Sequence, residues 1–151
     1  MTLKIAFYIA EHGNITDKII SILTLSKYSH CEIIFDDGEW ASSSPRDGGV
    51  RFKVIEPDPT HWDIFTLSNW NSDVQQQSYY EKFARHWFIL NLGKAYDWLG
   101  AIGSALNIDL SSKNKKFCSQ VCAAVIGLEH TNITPGNLYL KLLELEIIKH
   151  G

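Results

Sequence analysis

The chain has 151 residues, which at about 100 to 200 residues per domain is room for one unit (1–151), long enough to bury a core without disulfide or metal staples. Its 45% hydrophobic and 21% charged content is ordinary for a globular protein and excludes disorder, collagen and coiled coil. Lys and Arg number 14 against 17 Asp and Glu, so the formal charge is -3 and no basic field exists to grip a nucleic-acid backbone.

Ile5 to Ala10 is an apolar run stopped by Glu11-His12-Gly13. It lacks a small-residue cleavage site and reads as a first strand instead of a signal peptide, which makes the cytoplasm the default location and leaves a phage or host-lysis route open. No apolar stretch reaches the roughly 20 residues that span a bilayer, so no transmembrane segment is expected. Residues 16 to 25 carry Ile19, Ile20, Ile22, Leu23 and Leu25 behind Asn14 and Thr16, a helical stripe with candidate N-caps. Four segments of strand character follow: His30 to Phe35, Glu39 to Ser42, Val50 to Ile55 and Trp62 to Leu67. Asp36-Asp37-Gly38 is a tight-turn signal and Ser44 to Gly49 a loop, so the simplest expectation is an antiparallel meander. Behind Ser72-Asp73, Val74 to Leu92 places Tyr79, Phe83, Trp87 and Leu90 at helical spacing, with Gly93 as terminator. Tyr96 to Leu106 predicts a short helical or turn-rich segment broken by Gly100 and Gly103, and Cys118 to Leu128, after the polar Ser111 to Lys116, a buried helix. Thr134 and Pro135 have the chemistry of a helix cap and first helical position. The expected class is α+β, with an antiparallel sheet packed against helices that include the cysteine helix.

Three cysteines, Cys31, Cys118 and Cys122, cannot all pair, and free thiols in a reducing compartment are the expected state. In Phe117-Cys118-Ser119-Gln120-Val121-Cys122 the first cysteine stands at a helix start, where unpaired N–H groups and the helix dipole favour a thiolate and the Cys118 N–H could help bind an oxyanion. The alternative is that both cysteines are small core residues, and Cys122, one turn deeper, fits that description. A thiolate nucleophile needs a base. In Tyr28 to Phe35, alternation places His30, Glu32 and Ile34 on one strand face and Cys31, Ile33 and Phe35 on the other. His61, His86, His130 and His150 are expected to be exposed or packing residues, and His12 a weak candidate for lining a site. The C-x3-C spacing of Cys118 and Cys122, without a second pair, is a weak zinc signal, and Gly100-Ala101-Ile102-Gly103 lacks the third glycine and preceding strand of a dinucleotide fingerprint. No metal or cofactor is expected.

The succession Tyr28-Ser29-His30-Cys31-Glu32-Ile33, Asp47-Gly48-Gly49-Val50-Arg51, Gly93-Lys94-Ala95-Tyr96-Asp97-Trp98-Leu99-Gly100 and Phe117-Cys118-Ser119-Gln120-Val121 resembles the circularly permuted papain-like amidases of the YaeF/YiiX group. These are related to the NlpC-type cell-wall endopeptidases and more distantly to lecithin retinol acyltransferase-like proteins. Thr134 to Leu138 resembles the group's helix start, and the likeness runs from about Asn14 to about Leu143. Papain-like enzymes place the cysteine helix before the histidine strand, so the reversed order here is that of a permuted chain. The resemblance implies Cys118 as nucleophile, His30 as its base and a permuted papain-like fold. Related enzymes take an orienting residue from the next strand, but Glu39-Trp40-Ala41-Ser42-Ser43 presents Trp40 or Ala41 there. Glu32 is therefore the first choice, with Glu39 and Ser42 as alternatives. Tyr96 matches the group's Tyr-Asp motif and is either a hydrogen-bond donor in a substrate-binding site or a packing residue.

Three functions follow as expectations. The first is a cysteine hydrolase cleaving an amide, such as a small peptide or cell-wall peptide, through an acyl-enzyme. The second is a thioesterase or acyltransferase on a lipid or acyl ester with the same dyad, in which Trp40, Trp62, Trp70, Trp87 or Trp98 would line an acyl groove. The third is a catalytically silent binding module.

Overall fold

The structure is a computed structural model that describes residues 3–67, 74–106, 114–128 and 133–148. Strand β1 (Lys4–Ile9) leads through a 3-10 turn at Ala10–His12 into α1 (Ile15–Thr24). Strands β2 (Tyr28–Ile34), β3 (Glu39–Ser44), β4 (Gly49–Val54) and β5 (Trp62–Thr66) follow, then helices α2 (Val74–Asn91), α3 (Trp98–Ala105), α4 (Cys118–Val125) and α5 (Pro135–Glu144). The expected helix caps at Ser72-Asp73, the residues Ser111 to Lys113, and Trp70, His130 and His150 lie outside the described residues.

All described strand pairings are antiparallel, and the five strands take the order β4-β3-β2-β1-β5. The expected meander holds for β2, β3 and β4 only. β5 crosses the sheet to pair with β1, Lys4 opposite Thr66 and Tyr8 opposite Trp62. Alternation along a strand identifies its buried face, but not which neighbour it joins.

The core lies on one face of the sheet. Ile5 and Phe7 of β1, Cys31 and Ile33 of β2 and Ala41 of β3 pack there against Val121, Cys122 and Val125 of α4, Leu138 and Leu142 of α5, and Ala84 and Phe88 of α2. Each large apolar side chain so buried contributes about 1.5–3 kcal/mol. Ala6, Ile34 and Trp40 form a smaller cluster with Ile55 and Trp62. On α2 the buried residues are Ala84 and Phe88, while Tyr79, Phe83 and Leu90 are exposed. The expected stripe was therefore displaced by about one position around the helix.

Helix α1 is inverted. Ile15, Ile19, Ile22 and Leu23 face solvent, and its one fully buried residue is Asp17. Polar bonds hold the helix in place of an apolar seam. Asp17 N–H donates to Asn14 Oδ1 at 3.1 Å while Asn14 N–H donates to Asp17 Oδ2 at 2.9 Å, a capping box. Asp17 also accepts from Ser29 Oγ at 2.9 Å and from Arg46 Nη2 at 2.8 Å. In α3, Gly100 does not break the helix. It lets the N-cap Asp97 and Phe117 approach closely, and its N–H donates to Asp97 Oδ1 at 3.0 Å. Thr134 caps α5 as expected, its Oγ1 accepting from Asn137 N–H at 3.1 Å.

Gly49 opens β4 with φ +149°, and a Cβ there would collide with the Lys94 carbonyl. The Lys94 carbonyl accepts from Val50 N–H at 2.9 Å, so β4 and the segment before α3 meet backbone to backbone. Gly49→Ala should cost more stability than the backbone term of about 1–2 kcal/mol alone, because the collision adds to it. Gly38→Ala, at φ +84° but with nothing within 4 Å, carries only the backbone term of about 1–2 kcal/mol. Urea unfolding of both variants checks the difference, and equal losses would contradict the close approach.

Candidate active site

Alternation on β2 puts His30 and Glu32 on the sheet face opposite the helical core. The same face carries Tyr8, Ser44, Arg51, Lys53 and Trp62, and together with Thr16, Asp17 and Ile20 of α1 and Trp98 of α3 they enclose a cleft of about 650 Å³. Cys118 belongs to the other side, with Cys31 and Cys122 in the core. The two sides meet because β2 and β3 are paired at Ile33↔Ala41 and Ile34↔Trp40, while beyond them the start of α4 packs against both strands. Ser43 Oγ anchors that approach by donating to the Lys116 carbonyl at 2.6 Å. Cys118 and His30 thereby interact, and each favours the charged form of the other.

The structure brings the four expected site residues together, with His30 between Glu32 and Cys118 and Tyr96 beside Cys118. His30 Nε2 stands 3.0 Å from Glu32 Oε1. With Nε2 so engaged, Nδ1 is the ring nitrogen left for Cys118. Tyr96 lines the cleft and interacts with Cys118, with its hydroxyl pushed up by burial first and by the Cys118 charge second, so it stays a phenol and a donor. The alternatives for the orienting role are committed elsewhere: Glu39 accepts from Arg85 Nη1 at 2.7 Å, and Ser42 Oγ donates to the Cys31 carbonyl at 2.7 Å.

Burial would normally raise a thiol and lower an imidazole. Here the partners decide. A hydrogen bond from the Cys31 thiol does most to bring Cys118 well below the ordinary thiol range; burial opposes it, and the charge and hydrogen bond of His30 add to it. Burial lowers His30, but the Cys118 charge and hydrogen bonds to Cys118 and Glu32 more than offset it and raise the imidazole to about 10. Cys31 moves the opposite way, raised by burial and then by its bonds to Cys118 and Cys122, so it keeps its proton and donates it. Glu32 is held below the usual carboxylate range: burial pushes it up, and Arg51 and His30 outweigh that.

Sequence reasoning missed two participants. Cys31 carries the signal of a core residue because it faces away from His30, yet it touches Cys118 from within the core. Arg51 stood in a recognised motif without a role. Its Nη1 donates to Glu32 Oε2 at 2.7 Å and its Nη2 to Oε1 at 2.6 Å, while Nε donates to Asp47 Oδ2 at 2.8 Å. His12 stacks on His61 with ring centroids 4.5 Å apart, and His61 lines the cleft; neither touches the Cys118 pair. Of the tryptophans, Trp62 and Trp98 line the cleft, and Trp40 lies buried against Trp62 at 5.1 Å.

An α+β unit with a five-stranded antiparallel sheet and five α-helices among the described residues is thus the class of this chain. No protein-family model and no curated protein matches the sequence. Among solved structures the fold is similar to that of the metalloprotein YiiX from Escherichia coli O157:H7, with a TM-score of 0.57 and 21% identity over 83% of this chain and 63% of that one. The chain spans less than two thirds of that protein's length, and the likeness is one of fold. Among the described residues no group of three or more His, Cys, Asp and Glu is placed to hold a metal ion, and both Glu32 oxygens already accept from Arg51. The site does not fit a metal centre.

The thiol directions yield a labelling order. All three thiols are buried, so at about pH 6.5 iodoacetamide should modify Cys118 first because only the thiolate reacts and Cys118 is lowered while Cys31 is raised. Peptide mass spectrometry after a brief pulse reads the order, and preferential labelling of Cys31 would overturn the assignment.

Proposed function

We propose that the protein is a cysteine hydrolase of permuted papain-like fold that cleaves an amide bond, such as that of a cell-wall peptide, with Cys118 as nucleophile, His30 as base and Glu32 as the residue that orients His30. The observation that carries this reading is the convergence of a helix-start cysteine, a histidine that interacts with it and a carboxylate 3.0 Å from Nε2 of that histidine. The fold likeness to YiiX and the order of the motifs along the chain support it.

The reaction follows from these groups. The Cys118 thiolate attacks the substrate carbonyl carbon, and the electron pair of the C=O bond moves to oxygen. The first backbone N–H groups of α4 and the Tyr96 hydroxyl are the donors for that oxyanion. Collapse expels the amine, which takes the proton of the His30 imidazolium, and leaves a thioester on Cys118. His30, now neutral, deprotonates a water that hydrolyses the thioester. Glu32 keeps one imidazole tautomer and offsets the imidazolium charge in each half-reaction. In the structure Cys118 is 2% exposed and Tyr96, which interacts with it, 7%.

A second reading, a thioesterase or acyltransferase with the same dyad, is favoured by one observation. Ile15, Ile19 and Ile22 of α1 and Trp98, Leu99 and Ile102 of α3 are exposed on helices that also line the cleft, a surface suited to an acyl chain. A panel of peptide amides and long-chain acyl thioesters separates the two.

With whichever substrate that panel yields, Cys118→Ala and His30→Ala should each lower turnover by about a thousandfold or more, and the double variant should be no worse than either, as expected of residues that act as a unit. Turnover that survives Cys118→Ala would overturn Cys118 as the nucleophile, and a wild-type protein that turns over no member of the panel would favour a binding module in its place.

A further inference from the structure

The Asp47-Gly48-Gly49-Val50-Arg51 segment is the sequence motif that this reaction leaves without a task. We propose that Arg51 is a positioning residue whose guanidinium fork keeps Glu32 ionised and aimed at His30, so that the readiness of Cys118 depends on a residue that never touches substrate. The proposal rests on the reading of Cys118 and His30 as a dyad.

The geometry is specific. Glu32 Oε1 is shared: it accepts from Arg51 Nη2 at 2.6 Å and faces His30 Nε2 at 3.0 Å. Oε2 accepts from Arg51 Nη1 at 2.7 Å, so the carboxylate is held by both oxygens and cannot rotate away from the imidazole. The side chain of Glu32 is 2% exposed and that of Arg51 13%. At that burial a lone carboxylate would take up a proton and cease to balance an imidazolium. Arg51 is fixed in turn, since its Nε donates to Asp47 Oδ2 at 2.8 Å and Asp47 also pairs with Lys53 at 3.1 Å. The backbone of the same segment reaches the other side of the site. Tyr96 N–H donates to the Gly48 carbonyl at 3.2 Å and Gly93 N–H to the Val50 carbonyl at 3.0 Å, so the loop that fixes Arg51 also sets where Tyr96 stands.

Two opposing effects follow when Arg51 is removed. Loss of a nearby cation by itself favours the His30 imidazolium. Loss of the fork leaves Glu32 with burial as the largest influence on it, and burial favours the neutral acid. The second wins here, because Glu32, 2% exposed, would be left buried without the two bonds. The charged and titratable groups around the pair are His30 and Cys31 on β2, Arg51 and Lys53 on β4, Asp47 in the loop before it, Tyr96 and Cys118.

The pH profile of Cys118 alkylation, measured beside turnover in the intact chain, is a readout that a purely structural role would not move. Arg51→Met should shift the alkylation midpoint upward by about one pH unit or more, a tenfold loss of thiolate below it. Arg51→Lys should shift it less, since it restores the charge without the fork. Glu32→Gln with Arg51→Met should match Glu32→Gln alone, because Arg51 acts through Glu32; that pair leaves no buried unpaired charge and decides the matter should Arg51→Met not fold. An unchanged or lowered midpoint in a folded Arg51→Met, or additive shifts in the double variant, would overturn the proposal. Failure of the dyad itself looks different: His30→Ala would then leave the wild-type profile untouched.

Discussion

An ion taken out of water survives only beside its opposite, and in this protein five groups satisfy that condition in a single row. Cys118, His30, Glu32, Arg51 and Asp47 alternate in the sign of the charge each takes, and each member interacts with the next. At one end the row begins in the apolar core; at the other it ends at a partly exposed aspartate paired with Lys53. Removing any interior member leaves a buried charge uncompensated, so the row stands or falls together. Much of the architecture serves it: β2 supplies two members, β4 one, its preceding loop one, and α4 the thiol.

The row crosses the sheet, and that crossing explains why the Cys118 thiol is hidden. Cys118 lies on the core side, among Cys31 and Cys122, whereas the cleft lies on the other side. His30 is the contact between the two. This placement lets Cys31, protonated because it is buried, stabilise the Cys118 thiolate from the core side, while His30 does so from the cleft side. It also keeps the thiolate from solvent. The cleft itself is mixed in character: Arg46, Arg51 and Lys53 are matched by Asp17, Glu32 and Asp47, and the walls are completed by Tyr8, Trp62 and Trp98. Such a surface offers no net charge to select an ionic substrate, which leaves shape and the exposed apolar flank of α1 and α3 as the selective features.

How much of this is readable in the sequence depends on the range of each interaction. The period of two along β2 places His30 and Glu32 on one face, and their bond connects residues two apart, so it is local and legible. The helix start at Cys118 is local too, set by the extended Phe117 before it. The inward face of α1 is not legible, because a stripe of isoleucines has a direction only once neighbours exist; here Ser29 and Arg46 reach Asp17 and turn the polar side inward. The pairing of β5 with β1 and the displaced stripe of α2 are likewise settled by long-range packing. Arg51 and Glu32 are nineteen positions apart and meet across β3, where Ser42 stands opposite Arg51. No spacing rule announces such a contact, although a motif with two charges flanking two glycines marks where to look.

The central claim is that a buried imidazolium and a thiolate stabilise each other. It is tested most directly by the titration of His30, followed by NMR on isotope-labelled histidine in the wild-type protein and in Cys118→Ala. The account predicts that His30 stays protonated up to about pH 10 in the wild type, against an ordinary value of 6.5, and titrates distinctly lower once the thiolate that raises it is gone. A His30 that titrates near 6.5 in the wild type, or whose midpoint is the same in both proteins, would contradict it.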